Sequence, residues 1–242
     1  MGMNVADIAS IEVTGLLYVL KELDVVRYED IKNTVLKGSD AASARFTAHP
    51  LFGSWLYGSP SVLWAFAYPG SGKSLFARYL VDQYIPTTEK RTTCYFFFED
   101  DRKSYRHLSS AMCSILRQLF EQRPELLSEA TVAEFYARNT LTMSFSSLWK
   151  ILIDAARRSS SGGIICIIDG LGKCKKRDKR QLISALNTLY HSDSNLKLPD
   201  IRFLLTSCPF GHTQRHFQPT GKVVPYIRSG IRDHVTVSEL DI

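Results

Sequence analysis

The sequence contains no apolar run near the roughly 18 residues needed to cross a bilayer; "TGLLYVL" near its start is far too short. No basic segment followed by an apolar one opens the chain, which excludes a secretory signal there. Ala6 stands where a myristoylation signal needs Ser or Thr, so the Met-Gly start carries no such signal. Cysteines are few and odd in number: five, at 94, 113, 166, 174 and 208, spread mostly through apolar runs. That suits buried thiols of a reducing compartment better than a disulfide framework, so the expected location is cytoplasmic, with the nucleus as the alternative. Internal repeats and low-complexity segments are also missing. A general excess of one charge is missing too. The net charge is +6, and the run Lys173–Arg180, with six cations and Asp178, holds +5 of it. The basic character is therefore one local patch, and nucleic acid is not the expected partner.

What is present is an alternation of apolar periods. Residues 1–45 carry a helical rhythm (Ile8, Ile11, Leu16, Leu17, Val19, Leu20, Leu23) followed by the small-residue stretch "GSDAASA", which reads as a helical arm and a linker. "HPLFGSWLYGSPS" reads as a short amphipathic helix ending at Gly58. Strands are expected at 61–67, 92–99, 163–169 and 201–207, with a last one at 234–240. Helices are expected at 73–85, 107–122, near 125–138, at 144–158 and at 178–190. Strands alternating with helices argue for an α/β domain over 46–242, a parallel sheet with helices on both faces.

Between the first strand and its helix lies "AYPGSGKS", residues 67–74. It follows the phosphate-loop pattern with Ala67 in place of the first glycine. Gly70 and Gly72 let backbone N–H groups turn toward a β-phosphate, and Pro69 fixes the turn. Lys73 is expected to reach the β- and γ-phosphates, and Ser74 to ligate Mg²⁺. The expected nucleotide contacts are thus Ala67, Pro69, Gly70, Ser71, Gly72, Lys73, Ser74 and Leu75. The strand "GIICIID" ends in Asp169, the carboxylate expected to hold Mg²⁺ beside the loop.

Four segments in order, "VLWAFAYPGSGKS", "TTCYFFFEDD", "IICIIDGLGKC" and "RFLLTSCPF", resemble the NACHT-type NTPase module. More closely, they resemble the nephrocystin-3-like N-terminal domains of filamentous fungi, over roughly residues 46–210. The resemblance implies a P-loop NTPase-type fold binding ATP or ADP with Mg²⁺ (GTP is not excluded), working as a switch inside signal-transduction receptors. It also implies protein partners or self-association. Such relatives continue into a winged-helix lid and repeat domains. The sequence stops at Ile242, so the resemblance implies a reduced member, a truncated gene model or a fragment, with a half-open site and weaker nucleotide affinity.

The departures bear on chemistry. Relatives carry roughly Asp-Gly/Ala-Leu-Asp-Glu-Cys, where this chain has Asp169-Gly170-Leu171-Gly172-Lys173-Cys174. Glycine cannot polarise a water, and an ammonium repels the proton that must leave. Relatives carry Thr-Ser-Arg-Pro, where this chain has Thr206-Ser207-Cys208-Pro209, without the γ-phosphate-sensing arginine. The expectation is a nucleotide-binding switch with weak or absent hydrolysis. Two rivals stand beside it: a working Mg-dependent ATPase with acids supplied from elsewhere, and an interaction scaffold that binds no nucleotide.

Other signals carry less. The run "KCKKRDKR" reads as a solvated loop and helix start, with a nuclear-import signal or a nucleic-acid patch as alternatives, and it has no interleaved aromatics to stack bases. Lys173 is either a solvated loop lysine or a cation near the γ-phosphate. "EDD" at 99–101 reads as a loop cap, with Asp100 or Asp101 a minor candidate at Mg²⁺. Cys208, His212 and His216 have metal-like spacing but no fourth partner, and read as loop residues. "YFFF" at 95–98, Trp64 and Trp149 read as packing.

Overall fold

The computed structural model describes residues 5–35, 40–59, 61–137, 143–159, 162–191, 198–208, 226–229 and 235–236. Four helices come first: α1 (Val5–Glu22), α2 (Tyr28–Thr34), α3 (Asp40–Thr47) and α4 (Pro50–Tyr57). The alternating part follows as β1 (Val62–Ala67), α5 (Lys73–Tyr79), β2 (Arg91–Phe97), α6 (Leu108–Gln122), α7 (Glu129–Ala137), α8 (Phe145–Arg158), β3 (Gly163–Asp169), α9 (Lys176–His191) and β4 (Ile201–Ser207). Two short strands, β5 (Tyr226–Ser229) and β6 (Val235–Thr236), come last among the described residues.

The strands form one sheet in the order β2-β3-β4-β1-β5-β6. Every pair is parallel except β5 with β6. Strands β1 to β4 are largely apolar and buried along nearly their whole length, as a sheet covered on both faces requires. Adjacent residues of β4 show the two faces. Trp149 of α8 stacks on Phe203 at 5.4 Å. Arg202, one residue earlier, points the other way and donates to the carbonyls of Trp55 and Gly58 at the end of α4, at 3.1 and 2.6 Å. The α/β fold read from the sequence is the fold observed.

Strand β2 is an edge of the sheet, and its free backbone groups are satisfied by side chains. The Gln118 amide of α6 accepts from Tyr95 N–H at 3.0 Å and donates to the Tyr95 carbonyl at 2.8 Å, imitating a neighbouring strand. Thr87 accepts from Thr93 N–H at 3.0 Å.

The first helices are bound into this core. Val19, Leu23, Val26 and Ile31 are buried. Tyr28 meets Tyr95 edge-on at 5.5 Å, and Lys32 pairs with Asp82 beyond α5 at 2.7 Å. The small-residue stretch expected as a linker is corrected in part: Asp40–Thr47 is α3. Its alanines are strong helix formers, and Phe46 stacks on Phe76 of α5 at 4.5 Å, which fixes the helix in place.

Other boundaries differ from expectation. The helix expected over 73–85 ends at Tyr79 and continues as a π-helical turn, Leu80–Tyr84. Helix α9 starts at Lys176, earlier than 178, because Asp178 does not cap it; its carboxylate accepts from Leu108 N–H at the start of α6, at 3.0 Å. Strand β5 was not expected. Of the strand expected at 234–240, only Val235–Thr236 falls among the described residues.

Candidate functional site

Strand β1 ends at the fully buried Ala67, and the chain turns through Tyr68, Pro69, Gly70, Ser71 and Gly72 into α5. Gly70 (φ 77°) and Gly72 (φ 84°) both occupy the left-handed region. A Cβ at Gly70 would meet nothing within 4 Å, so glycine there serves backbone conformation and not space. Helix α5 begins with the bond from Phe76 N–H to the Gly72 carbonyl, 2.8 Å. The Lys73 ammonium folds back into the turn. It donates to the carbonyls of Ala67 (2.7 Å) and Tyr68 (2.8 Å) and to Ser71 Oγ (3.4 Å). Leu75 is half-buried behind the turn, and Pro69 is exposed.

Asp169 ends β3, and β3 is not the neighbour of β1: β4 runs between them. The carboxylate nonetheless meets the loop. Ser74 Oγ donates to Asp169 Oδ2 at 2.6 Å, across β4. Thr206 of β4 fills the gap, donating to Asp169 Oδ1 at 2.5 Å and accepting from Gly170 N–H at 3.0 Å. Asp169 is 2 % exposed, and burial pushes its carboxyl above the usual carboxylate range. The hydroxyls of Ser74 and Thr206 and the ammonium groups of Lys173 and Lys73 oppose that rise. Two oxygen groups, the Ser74 hydroxyl and the Asp169 carboxylate, therefore stand together at the loop, a donor set that suits a hard cation such as Mg²⁺.

After Asp169 the chain turns at Gly170 (φ 72°) into a single 3-10 turn, Leu171–Lys173, closed by Lys173 N–H on the Gly170 carbonyl at 2.8 Å. Lys173 is a partly exposed lysine with a partner: its ammonium lies 3.3 and 3.4 Å from the two oxygens of Glu99. Glu99, read from the sequence as part of a loop cap, does cap the loop, its Oε1 accepting from Asp100 N–H at 2.9 Å, and it is also an ion-pair partner of the Asp169 turn. Asp100 is exposed and faces Arg106 at 3.7 Å, and Asp101 is exposed. Neither makes a hydrogen bond or ion pair with Asp169, so the minor Mg²⁺ role considered for them gains no support.

The sequence did not single out Thr206 as a partner of Asp169, or Glu99 as a partner of Lys173. Both depend on strand order, and the only sequence signal is that each closes an apolar strand. Cys208 is half-exposed just after β4. His212, His216 and Pro209 lie outside the described residues. Among the described residues no group of three or more metal-binding side chains occurs. Trp64 and Trp149 pack as expected, with Trp64 Nε1 donating to Ser207 Oγ at 2.9 Å. Lys175, Lys176, Arg177 and Arg180 are exposed at the start of α9. No helix of the described residues is long and apolar enough to cross a membrane.

The family described as Nephrocystin 3, N-terminal, matches residues 43–208, from within α3 to the end of β4. No curated protein matches the chain. Solved structures similar to it include two of the Aeropyrum pernix ORC2 protein. One, of ADPNP-ADP complexes, is 16% identical, with a TM-score of 0.43 over 74% of this chain and 43% of that one. The other, an ADP form, is 16% identical, with a TM-score of 0.42 over 69% and 40%. The match thus spans less than half of either ORC2 chain.

Proposed function

The chain belongs to the nephrocystin-3 N-terminal family, and we propose that it is a phosphate-loop module that binds ATP or ADP and acts by conformation, with hydrolysis held low. One observation carries this reading: the 2.6 Å bond between Ser74 and Asp169, which joins the first turn of α5 to the end of β3 across an intervening strand. Chance small-residue turns do not bring a hydroxyl and a buried carboxylate together. Gly70, Ser71 and Gly72 would present backbone N–H groups to the phosphates, and Lys73 would leave its loop carbonyls for the β- and γ-phosphate oxygens. Ser74 and Asp169 would hold Mg²⁺, which when bound neutralises phosphate charge. Gly172 and Lys173 offer no water-activating group, which is the reason for low turnover. The role as a switch in a larger receptor, and protein partners that read it, extend this reading.

The rival scaffold reading has one observation in its favour: Lys73 is already satisfied by its own loop. Melting temperature with and without Mg-ATP and Mg-ADP, for the native chain and Lys73→Ala, separates the two. A binder gains about 2.7 kcal/mol at a hundredfold excess over its dissociation constant, and Lys73→Ala removes the gain. Phosphate release in the same tubes should stay near background. No shift with either nucleotide sinks the proposal in favour of the scaffold.

A further inference from the structure

We propose that Glu99 is the acid that orients and deprotonates the attacking water at this site, and that its ion pair with Lys173 keeps it out of use in the resting protein. The inference rests on the phosphate-loop reading and names the group that the Asp169 motif itself lacks. Strands β2 and β3 are parallel and in register, Phe97 opposite Asp169. Phe98 N–H donates to the Asp169 carbonyl at 3.0 Å, so Glu99 leaves the sheet on the same edge of strand ends as Asp169. That edge, outside the carboxyl ends of parallel strands, is also where the loop opens. Glu99 is therefore the acid that the topology delivers there without help from residues 170–174.

Lys173 faces both carboxylates. Its ammonium sits 3.3 and 3.4 Å from the Glu99 oxygens, and its charge also acts on Asp169. The pair is partly open to water, with side-chain exposures of 39% for Lys173 and 25% for Glu99. Such pairs are weak and exchange readily. The oxygens of a bound γ-phosphate compete for the same ammonium, and its departure uncovers Glu99 Oε2, while Oε1 stays held by Asp100 N–H at 2.9 Å and keeps the carboxylate oriented. Glu99 then accepts a proton from water as the water oxygen bonds to the γ-phosphorus. The bond from that phosphorus to the bridging oxygen breaks, its electron pair leaves with the nucleoside diphosphate, and the proton passes to the released phosphate. Asp100 is a poorer candidate, being exposed and turned to Arg106.

The test uses the full chain as wild type, Lys173→Ala, Glu99→Gln and the double variant. It reads phosphate release from Mg-ATP, the thermal shift with Mg-ADP, and the thermal shift with Mg-ADP plus fluoroaluminate. The expected result is slow release by wild type and a rise of roughly tenfold to a hundredfold in Lys173→Ala, the span a positioned acid–base group supplies. Glu99→Gln abolishes the rise. Lys173→Ala alone should gain extra stabilisation from fluoroaluminate, and all four should keep the Mg-ADP shift. If Lys173→Ala melts early, Lys173→Met, which keeps the packed stem, takes its place. An intact Mg-ADP shift with no rise in release, or a rise that survives Glu99→Gln, overturns this inference and leaves nucleotide binding standing. Absence of any Mg-ADP shift in the wild type overturns both readings.

Discussion

Thr206 and Asp169 face each other across neighbouring strands, the hydroxyl donating to Oδ1 at 2.5 Å while it accepts from Gly170 N–H at 3.0 Å. Thr206 is fully buried. Because one carboxylate oxygen is held by β4, the other is left to face Ser74. The strand between the loop and the acid thus sets the direction in which the acid points.

Thr206→Val keeps the shape and removes the hydroxyl, leaving a buried carboxylate oxygen and the Gly170 N–H short of a partner. The expected loss is about 2–3 kcal/mol of stability, which in a chain of this size lowers the melting temperature by very roughly 5–10 °C. Thr206→Ser should recover most of it. Equal melting of the valine and serine variants would show that the hydroxyl contributes nothing.

Two glycines with positive φ make a contrast. A Cβ at Gly162 (φ 97°) would lie 2.3 Å from the Lys90 carbonyl oxygen, whereas at Gly70 it meets nothing. Gly162→Ala should therefore cost at least about 3 kcal/mol, strain and backbone clash together. Gly70→Ala should cost only the left-handed penalty, about 1–2 kcal/mol, while weakening the nucleotide-induced shift. Urea denaturation with and without Mg-ADP compares them; equal stability losses would remove the distinction between a glycine needed for space and one needed for conformation.

The loop and Asp169 were legible because each is a short local pattern, strand then turn, whose meaning survives without knowing its neighbours. Thr206 and Glu99 were not, since their roles depend on β4 lying between β1 and β3 and on β2 lying beside β3. Helix α3 was hidden for another reason. Its serine and alanines look like a linker, and Phe46 against Phe76 shows why the segment is fixed. Lys173 was visible as a lost acid, but its partner, 74 residues away, was not.

Gln118 covers the sheet edge at Tyr95 and is 3% exposed. Gln118→Leu fits the same space and strands one backbone donor and one acceptor in the core. The expected loss is about 2–4 kcal/mol, with a gain in aggregation as the edge becomes available to other chains. Equilibrium denaturation and light scattering on warming check the two effects. A variant as stable and as soluble as wild type would mean that water replaces the amide at this edge.

Asp169 gives the pH dependence its sign. Burial raises its folded carboxyl above the unfolded value of 3.8, so the folded state holds the proton more tightly than the unfolded one. The contribution of this group to stability is fully present below 3.8 and is lost as pH rises through its elevated folded value. At neutral pH the buried carboxylate therefore weakens the protein in the absence of ligand. Asp169→Asn removes that charge and can keep contacts to Ser74 and Thr206, whose hydroxyls rotate to donate or accept. The variant should melt higher than wild type at pH 7, with the difference shrinking toward pH 4. It should also lose the extra stabilisation that Mg²⁺ adds to bound nucleotide, as expected where a site's charge is kept for binding at a cost in stability. Melting curves from pH 4 to pH 8 decide the matter: a wild-type protein more stable than Asp169→Asn at pH 7 without nucleotide would mean that Ser74, Thr206 and the two lysines outweigh burial.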